Sequence, residues 1–336
     1  MIQNQWYGVL ASKEVKKGKI TYAKRLNEKM IFFRDRAGKV NCIADQCCHR
    51  GASLSLGRHC GNTVACPFHG IEYNGEGKAI KIPANGTASP VPPNFKVKAY
   101  PVREEHGIIW LWYGEKPDVF PPIRFFDELD EMSYSQIIDP WSVHYSRCIE
   151  NQLDAAHLPF VHKNTIGRGN KTVVFGPKVI YEEDTMTFYV HNEVDDGIKT
   201  GKKPGEITDY HDWFSLQFRF PNIWQNRIAP KMRIFAVFAP IDEENSMVYI
   251  RYYQGYVNIP ALKQITNLFG KVFSNVVLKQ DKRVVITQLP KKSELHMKEN
   301  LFPGDSPIIE YRKIRQKLKE QNNLSSDGSP TPSQAL

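Results

Sequence analysis

The chain has 336 residues, of which 41% are hydrophobic, and a formal net charge of +9 at pH 7. This length predicts two domains, and basic residues that are interleaved with acidic ones argue against a nucleic-acid-binding protein. No run approaches eighteen apolar residues and the first residues lack the pattern of a signal peptide, so we expect a cytoplasmic protein with no membrane partner.

The first third of the chain reads as short strands that are bounded by turns. Such strands are expected over four segments: Met30 to Arg34, Val40 to Ala44, Lys96 to Val102 and Gly107 to Gly114. The stretch KPDVFPP that follows reads as a connector, because proline cannot donate to a strand ladder. We therefore expect an all-β domain over residues 1–115.

Two cysteine and histidine pairs lie within this domain: Cys47 with His49, and Cys66 with His69. An iron-sulfur cluster with two thiolates on one iron and two imidazoles on the other needs this mixed set, and two loops can each supply one ligand to each iron. A zinc site is the alternative, but zinc fingers usually pair cysteine with cysteine and histidine with histidine along the chain. The spacing favours a 2Fe-2S cluster.

Residues beside these pairs suggest a supporting shell. Gly51 and Gly70 closely follow the histidines, and a glycine lets backbone amides approach cluster sulfur. Cys48 is expected to be a packed thiol.

The second part of the chain contains the stretch NQLDAAHLPFVH. Asn151, Asp154 and His157 are spaced by three, so on a helix they would share one face. His162 would lie about 140° from that face, so the two histidines converge only if the helix ends or distorts near Pro159. A structural histidine pair is the alternative interpretation.

A carboxylate that could complete a two-histidine iron site occurs late in the sequence. Asp281 follows Val277 by four residues and precedes Val284 by three, which puts it on the apolar stripe of a predicted helix. A buried acid there would need a partner, and two histidines with one carboxylate form a known iron site. Alternatively, Asp281 is exposed and paired with Lys282 or Arg283.

The remaining elements indicate an α+β fold. Strands are expected over Thr185 to Val190, Trp213 to Phe220, Arg233 to Ala239 and Met247 to Gly255, before a closing helix that carries Asp281. Phe214, Leu216, Phe218 and Phe220 alternate along one of these strands, and we expect them in the core rather than in a cavity. We assign residues 116–320 to a catalytic domain and residues 321–336 to a disordered tail, from their polar, proline-containing composition.

The motifs resemble those of the Rieske non-heme iron oxygenases. DQCCHRGASLSLG and CPFHGIEYNGEGKAIKIPA look like the cluster loops of that family, while NQLDAAHLPFVH and QDKRVVITQLP look like its iron-binding segments. The resemblance implies an all-β Rieske domain beside a helix-grip domain with a curved antiparallel sheet. It also implies a 2Fe-2S cluster on Cys47, His49, Cys66 and His69, and a mononuclear Fe(II) on His157, His162 and Asp281. In the same way it implies that Tyr73, four residues after His69, donates a hydrogen bond to a ligand sulfur; the alternative is an ordinary strand tyrosine.

The same resemblance implies partners and a reaction. Asp154 would link His157 to a cluster histidine of a neighbouring subunit in a homotrimer, and Asn151 would be a polar group near the iron. No complete nucleotide-binding glycine motif is present, so electrons would come from a separate reductase, with or without a ferredoxin. The expected reaction uses O2 to hydroxylate or to O- or N-demethylate a small, largely apolar organic molecule. The alternatives are a Rieske electron carrier without oxygenase activity and a zinc-stabilised binding module.

Overall fold

A computed structural model of the chain describes residues 1–326, with side chains as far as residue 321. The fold is mixed α+β, with an all-β N-terminal part and one large antiparallel sheet with helices in the C-terminal part, as predicted. The N-terminal strands are β1 (Gln5–Ala11), β2 (Ile20–Arg25), β3 (Glu28–Arg34), β4 (Val40–Ala44), β5 (Arg58–His59), β6 (Thr63–Ala65), β7 (Glu72–Asn74), β8 (Ala79–Lys81), β9 (Val102–Glu105) and β10 (Ile108–Tyr113).

These ten strands form three sheets, in the orders β1-β10-β9, β2-β3-β4 and β5-β6-β7-β8. Strand β3 is buried on both faces because its side chains alternate between two cores. Met30 and Phe32 pack into one core, while Ile31 and Phe33 pack into the core that contains Cys47 and Cys66. The strand therefore anchors the cluster loops to the rest of the domain.

The strand that was predicted over Lys96 to Val102 is not formed. This segment instead crosses between two sheets and makes one isolated bridge to each, Lys78 with Lys96 and Ile43 with Ala99. Strand β9 begins only at Val102. Alternating side chains predicted an extended backbone correctly, but not that its partners belong to different sheets.

The C-terminal part is built on a seven-stranded antiparallel sheet in the order β11-β17-β16-β15-β14-β13-β12. The strands are β11 (Ser133–Trp141), β12 (Val173–Glu182), β13 (Thr185–Glu193), β14 (Phe214–Arg219), β15 (Ile223–Ala229), β16 (Met232–Pro240) and β17 (Ser246–Gln254). The helices are α1 (Tyr145–Leu153), α2 (Leu158–Val161), α3 (Pro260–Val285) and α4 (Ser306–Ser326). Helix α3 packs on β11 and β17, and α1 packs on β16 and β17.

Helix α4 was not predicted, and it extends to Ser326, six residues into the segment that was expected to be disordered. Its inward face carries Arg312 and Arg315, which are 4% and 2% exposed, so the sequence looks too polar for a packed helix. Arg312 is buried because it binds Glu150 (Nε to Oε1, 2.8 Å) on α1 and Glu299 (Nη2 to Oε2, 2.7 Å). Residues 327–336 of the predicted tail lie outside the described residues.

The N-terminal and C-terminal parts share a hydrophobic core. Trp6 and Trp110 from the first part pack with Phe235 and Tyr249 from the large sheet. Arg251 of β17 reaches across and donates to the carbonyl of Gly107 (2.6 Å). The orientation of the two parts is thus fixed by packing and by buried hydrogen bonds. Among the described helices, none has the length and apolar character of a membrane span.

Candidate metal centres

The two cluster loops have matching backbone geometry. Gly51 N–H donates to Cys47 O (2.9 Å), and Gly70 N–H donates to Cys66 O (3.0 Å). Both glycines have positive φ, +77° and +71°, which L side chains rarely adopt. Glycine is therefore required to turn each loop back behind its histidine.

The four predicted cluster ligands lie together at the tips of these loops. Cys47 and Cys66 are buried at 3% and 4% exposure, whereas His49 and His69 are exposed. The Nδ1 atoms of the two histidines face each other at 3.3 Å, and burial raises the pKa of the Cys66 thiol, with a contribution from Cys47. Two buried sulfurs beside two converging imidazole nitrogens fit the ligand set of a Rieske cluster.

The hydroxyl of Tyr73 lies 3.0 Å from Cys47 Sγ and 3.3 Å from Cys48 Sγ. Burial, with the two neighbouring sulfurs, raises the pKa of Tyr73, so the phenol stays protonated and can donate. The predicted contact between Tyr73 and a ligand sulfur is thus formed. The prediction for Cys48 was wrong, because its thiol is exposed rather than packed.

Helix α1 ends before the residues that were expected to share its face. His144 caps its N-terminus and accepts from Ser146 N–H through Nδ1 (3.3 Å). The helix stops at Leu153, and Asp154 has an extended backbone (φ −91°, ψ 122°). Its Oδ1 accepts from Ala156 N–H (2.6 Å), a local side-chain bond that competes with helix continuation.

The sequence suggested that the helix breaks near Pro159, but the break occurs earlier, at Asp154. Pro159 lies in the first turn of the one-turn helix α2, where its missing N–H removes no helical hydrogen bond. His157 and His162 flank this helix, and their ring centroids are 5.2 Å apart. The two histidines converge because α2 is a separate element.

Helix α3 brings Asp281 to the same point. Its buried positions are Ser274, Leu278, Asp281 and Val285, so the stripe runs through these residues and not through Val284, which is 40% exposed. The Asp281 side chain is 5% exposed. Lys282 does not pair with it, since its ammonium binds Asp139 instead (3.0 Å).

The ligand atoms of His157, His162 and Asp281 all lie within 4.8 Å of one another. Asp281 Oδ1 is 2.8 Å from His162 Nε2 and 3.5 Å from His157 Nε2. Despite these distances, this buried oxygen has no hydrogen-bond partner of acceptable geometry. Lone pairs that converge on a shared point without bonding one another fit a metal ion as their common partner.

The outer nitrogen of His162 has a hydrogen-bond partner, whereas the outer nitrogen of His157 faces a carboxylate without a hydrogen bond of acceptable geometry. His162 Nδ1 lies 2.8 Å from Gln280 Oε1, and His157 Nδ1 lies 3.5 Å from Asp154 Oδ2. Such partners set the tautomer and the ring orientation of metal-binding histidines. The motif did not indicate Gln280, because its position beside Asp281 on α3 carries no signal by itself.

The electrostatics of the triad favour positive charge. Burial works against a charged His157, but the two neighbouring carboxylates outweigh it and raise its pKa to about 9. Burial also opposes ionisation of Asp281, but His157 and His162 lower its pKa to about 2. A site that stabilises an imidazolium next to a carboxylate is suited to a divalent cation.

The triad lies at one side of a cavity of about 430 Å³. Most of its lining is apolar, and no lysine or arginine from the described residues contributes to it. Phe214 and Leu216 of β14 line it, whereas Phe218 and Phe220 belong to the main core. The expectation that all four pack in the core was therefore half wrong, because β14 runs from the cavity into the core.

Several polar atoms of the lining side chains are buried without a hydrogen-bond partner. They are Asn151 Nδ2, Trp224 Nε1, Asn226 Oδ1 and Ser274 Oγ. Asn151 was expected here, but the other three were missed. Trp224 and Asn226 alternate on β15 and so share a face, but only the fold shows that this face meets a cavity.

Two family models match the chain. The Rieske 2Fe-2S domain matches residues 5–101, and the vanillate O-demethylase oxygenase C-terminal domain matches residues 141–321. Among curated proteins, the chloroplastic chlorophyllide a oxygenase of Chlamydomonas reinhardtii is 36% identical over 174 residues, which cover 50% of this chain and 26% of that protein. The TsaM1 iron-sulfur subunit of the toluene-4-sulfonate monooxygenase system of Comamonas testosteroni is 31% identical over 188 residues, covering 55% and 52%. The matches thus span about a quarter and about half of these two relatives.

Solved structures share the fold over nearly the whole chain. NdmA of Pseudomonas putida CBB5 superimposes with a TM-score of 0.76 at 22% identity, covering 96% of this chain and 92% of that one. Dicamba monooxygenase bound to dicamba gives 0.74 at 18% identity, covering 96% and 99%. At these identities the likeness concerns the architecture alone.

Proposed function

This chain belongs to the Rieske non-heme iron oxygenases, and we propose that it is the terminal oxygenase component of a multicomponent monooxygenase. The observation that carries the proposal is the buried Asp281 carboxylate, which faces two histidine Nε2 atoms beside a largely apolar cavity. A Rieske electron carrier would not need this second constellation. We also infer a Rieske domain over residues 1–115 and a catalytic domain over residues 116–320.

We assign a set of ligand residues to the cluster and another to the mononuclear iron. Cys47, His49, Cys66 and His69 would hold the cluster, and His157, His162 and Asp281 would hold a mononuclear ferrous ion. When bound, the cluster supplies stored electrons and the ferrous ion supplies activation of O2 beside the substrate. Gln280 keeps the His162 imidazole oriented through its Nδ1 atom, and Asp154 Oδ2 faces His157 Nδ1 at 3.5 Å.

Asp154 is suited to a second task at a subunit contact. Its side chain is 25% exposed, so one edge of the carboxylate can be reached from outside while Oδ2 faces His157. His49 and His69 are exposed at the cluster tip. We propose that Asp154 links the His69 edge of one subunit to His157 of the next in a homotrimer.

The cavity supports a neutral, largely apolar organic substrate. Its volume, about 430 Å³, lies in the range of small-molecule sites, and a substrate acid would meet no lysine or arginine among the described lining residues. Ser274 precedes Asp281 by seven residues on α3, about 10 Å along the helix axis. The unpartnered polar atoms would orient one end of the substrate while its other end meets the iron site.

The reaction that we propose is hydroxylation or oxidative O- or N-demethylation, with electrons from a separate reductase, directly or through a ferredoxin. One relative, the oxygenase component of a chloroacetanilide N-alkylformylase from Rhizorhabdus wittichii, has a name that refers to an N-alkyl group. That substrate is the relative's own. For this chain, the apolar lining and the lack of lysine and arginine among the described lining residues support only the general class.

The test is metal analysis of the full chain purified without oxygen. About three irons and two acid-labile sulfides per chain, with a Rieske-type EPR signal after dithionite reduction, are expected. A screen of neutral aromatic ethers and N-methyl compounds with a surrogate reductase should then give formaldehyde or hydroxylated product. Two irons and two sulfides, with no further iron taken up on reconstitution, would instead support an electron carrier, and zinc without sulfide would contradict both.

A further inference from the structure

Helix α3 carries an apolar stripe that faces outward between residues 262 and 276. Its members are each 44–71% exposed: Leu262, Ile265, Leu268, Phe269, Val272, Phe273 and Val276. With 3.6 residues per turn they cover about 140° of the helix circumference over about 21 Å. We call these seven residues the outer stripe.

The outer stripe is not the face that α3 uses to pack on the protein. The opposite face contains Gly270, Ser274 and Leu278, and a Cβ on Gly270 would lie 2.2 Å from the Tyr252 ring of β17. The helix is therefore pressed against the sheet through its inner face. A surface helix normally presents polar residues to solvent, and a continuous apolar patch of this size indicates a binding surface.

The charges that α3 itself carries beside the outer stripe are all positive. No aspartate or glutamate occurs between residues 245 and 280. Lys271 and Lys279 are exposed along one edge of the stripe. Lys13 lies close by, and its pKa is lowered by burial first and then by the charge of Lys271. Apolar residues beside a basic edge are complementary to a surface that is apolar and negatively charged.

The outer stripe is continuous with the cavity mouth. Phe273 belongs to the stripe and also lines the cavity. Phe214 and Ile228 line the cavity too, and each is 42% exposed. An apolar molecule could therefore pass from whatever covers the stripe into the cavity without crossing a polar barrier.

We propose that the outer stripe rests on the surface of a bilayer that contains anionic lipid. Helices of this kind lie in the interfacial plane with their apolar side chains among the acyl chains, while lysines meet the lipid headgroups. The proposal does not depend on the oxygenase activity and goes beyond it.

The test is co-flotation of the cluster-loaded full chain with vesicles. Phosphatidylcholine vesicles with about 30% phosphatidylglycerol are expected to bind the protein. Raising the salt concentration to about 0.5 M should weaken this binding, because salt screens the charges of the lysines. Lys271→Gln with Lys279→Gln should lower the affinity for these vesicles about tenfold. Phe269→Ser with Val272→Ser should lower it further.

The control is Val119→Ser with Leu289→Ser, which replaces two equally exposed apolar residues away from the stripe, at 84% and 80% exposure. It should bind vesicles like the unaltered protein. The visible circular dichroism of the cluster reports whether each variant is folded. If the apolar variant misfolds, the lysine variant still tests the proposal.

Unchanged vesicle binding by both stripe variants would overturn the proposal, as would no binding of the unaltered protein at all. A lower molecular mass of the Phe269 and Val272 variant in solution would overturn it in favour of a contact between copies.

Discussion

The cluster loops and the iron triad differ in how far apart their residues lie in the sequence. All four cluster residues fall within residues 47–69, and local backbone bonds such as Gly51 N–H to Cys47 O shape both loops. The triad joins His157 and His162 to Asp281, more than a hundred residues later, and depends on how α3 packs against the sheet. The ligands of one site are therefore brought together by local loops, whereas those of the other are brought together by the whole catalytic fold. The two sites should fail independently when they are altered.

The largest effect is expected for Asp281→Asn. Loss of the carboxylate removes a charged ligand and should lower the affinity for mononuclear iron by more than about 100-fold, beyond the range seen for outer-shell partners. The cluster should remain, because no cluster residue contacts the triad in the described chain. Iron per chain and the EPR signal, measured together, check both statements. The matched control is Asp139→Asn, which also removes an acid that contacts α3, through Lys282. Loss of the cluster signal in D281N would contradict the independence of the two sites.

Asp154→Ala should uncouple the two sites while both remain occupied. The residue binds no metal in our assignment, yet it faces His157 and is partly exposed. We expect about a 100-fold loss of turnover with a substrate found in the screen, while three irons per chain are kept. Asp154→Asn is the matched variant, since its amide oxygen can still accept from Ala156 N–H and preserve the turn. Normal turnover in both variants would remove Asp154 from the electron path.

Acid should weaken the catalytic part through His144. Burial, and then the nearby charges of Arg315 and Lys292, lower the pKa of this helix-capping imidazole to about 2. Below pH 6.5 the unfolded chain takes up a proton that the folded chain does not, so stability is complete above pH 6.5 and falls as the pH drops toward about 2.

His144→Asn keeps an N-cap acceptor but does not titrate. Between pH 7 and pH 5 the unaltered protein should therefore lose about 2 kcal/mol relative to the variant. Urea unfolding that is followed by tryptophan fluorescence at both pH values measures the difference. Parallel pH dependence in the two proteins would show that His144 is not the responsible group.

The smallest effect is expected for Tyr73→Phe. The hydroxyl donates toward Cys47 Sγ and stabilises the reduced, more negative cluster. Losing one hydrogen bond of about 1 kcal/mol should lower the midpoint potential by about 40 mV. Tyr22→Phe, an exposed tyrosine of the same domain, is the control. Redox titration by EPR checks the shift, and an unchanged potential would mean that the contact has no electronic role.

The contrast between the two sites also explains what could be predicted from the sequence. The cluster residues and their loops follow from spacing, because the turns that hold them are local. The position of the helix break could not be predicted, because an Asp154 side-chain bond ends α1 before Pro159 can act. Helix α4 was missed because Arg312 and Arg315 are buried in it, and the burial of Arg312 depends on Glu150, which lies 162 residues earlier in the sequence.

The cavity was the least predictable feature. The alternating phenylalanines of β14 belong partly to the cavity and partly to the core. Trp224, Asn226 and Ser274 lie on elements that meet only in the folded chain, and nothing in their local sequence distinguishes them. The burial of Asp281 on α3 was predicted correctly. The other residues of the buried stripe were not.

The core shared by the two parts limits how the protein can be dissected. Trp6, Trp110 and Trp112 are covered by residues of the large sheet and of the segment that leads to it. A fragment that ended at residue 115 would expose this indole-rich surface and lose the hydrogen bond from Arg251 to Gly107. The cluster-bearing part therefore cannot be excised as a free-standing ferredoxin, and grafting it onto another oxygenase would require the facing strands to be transplanted with it.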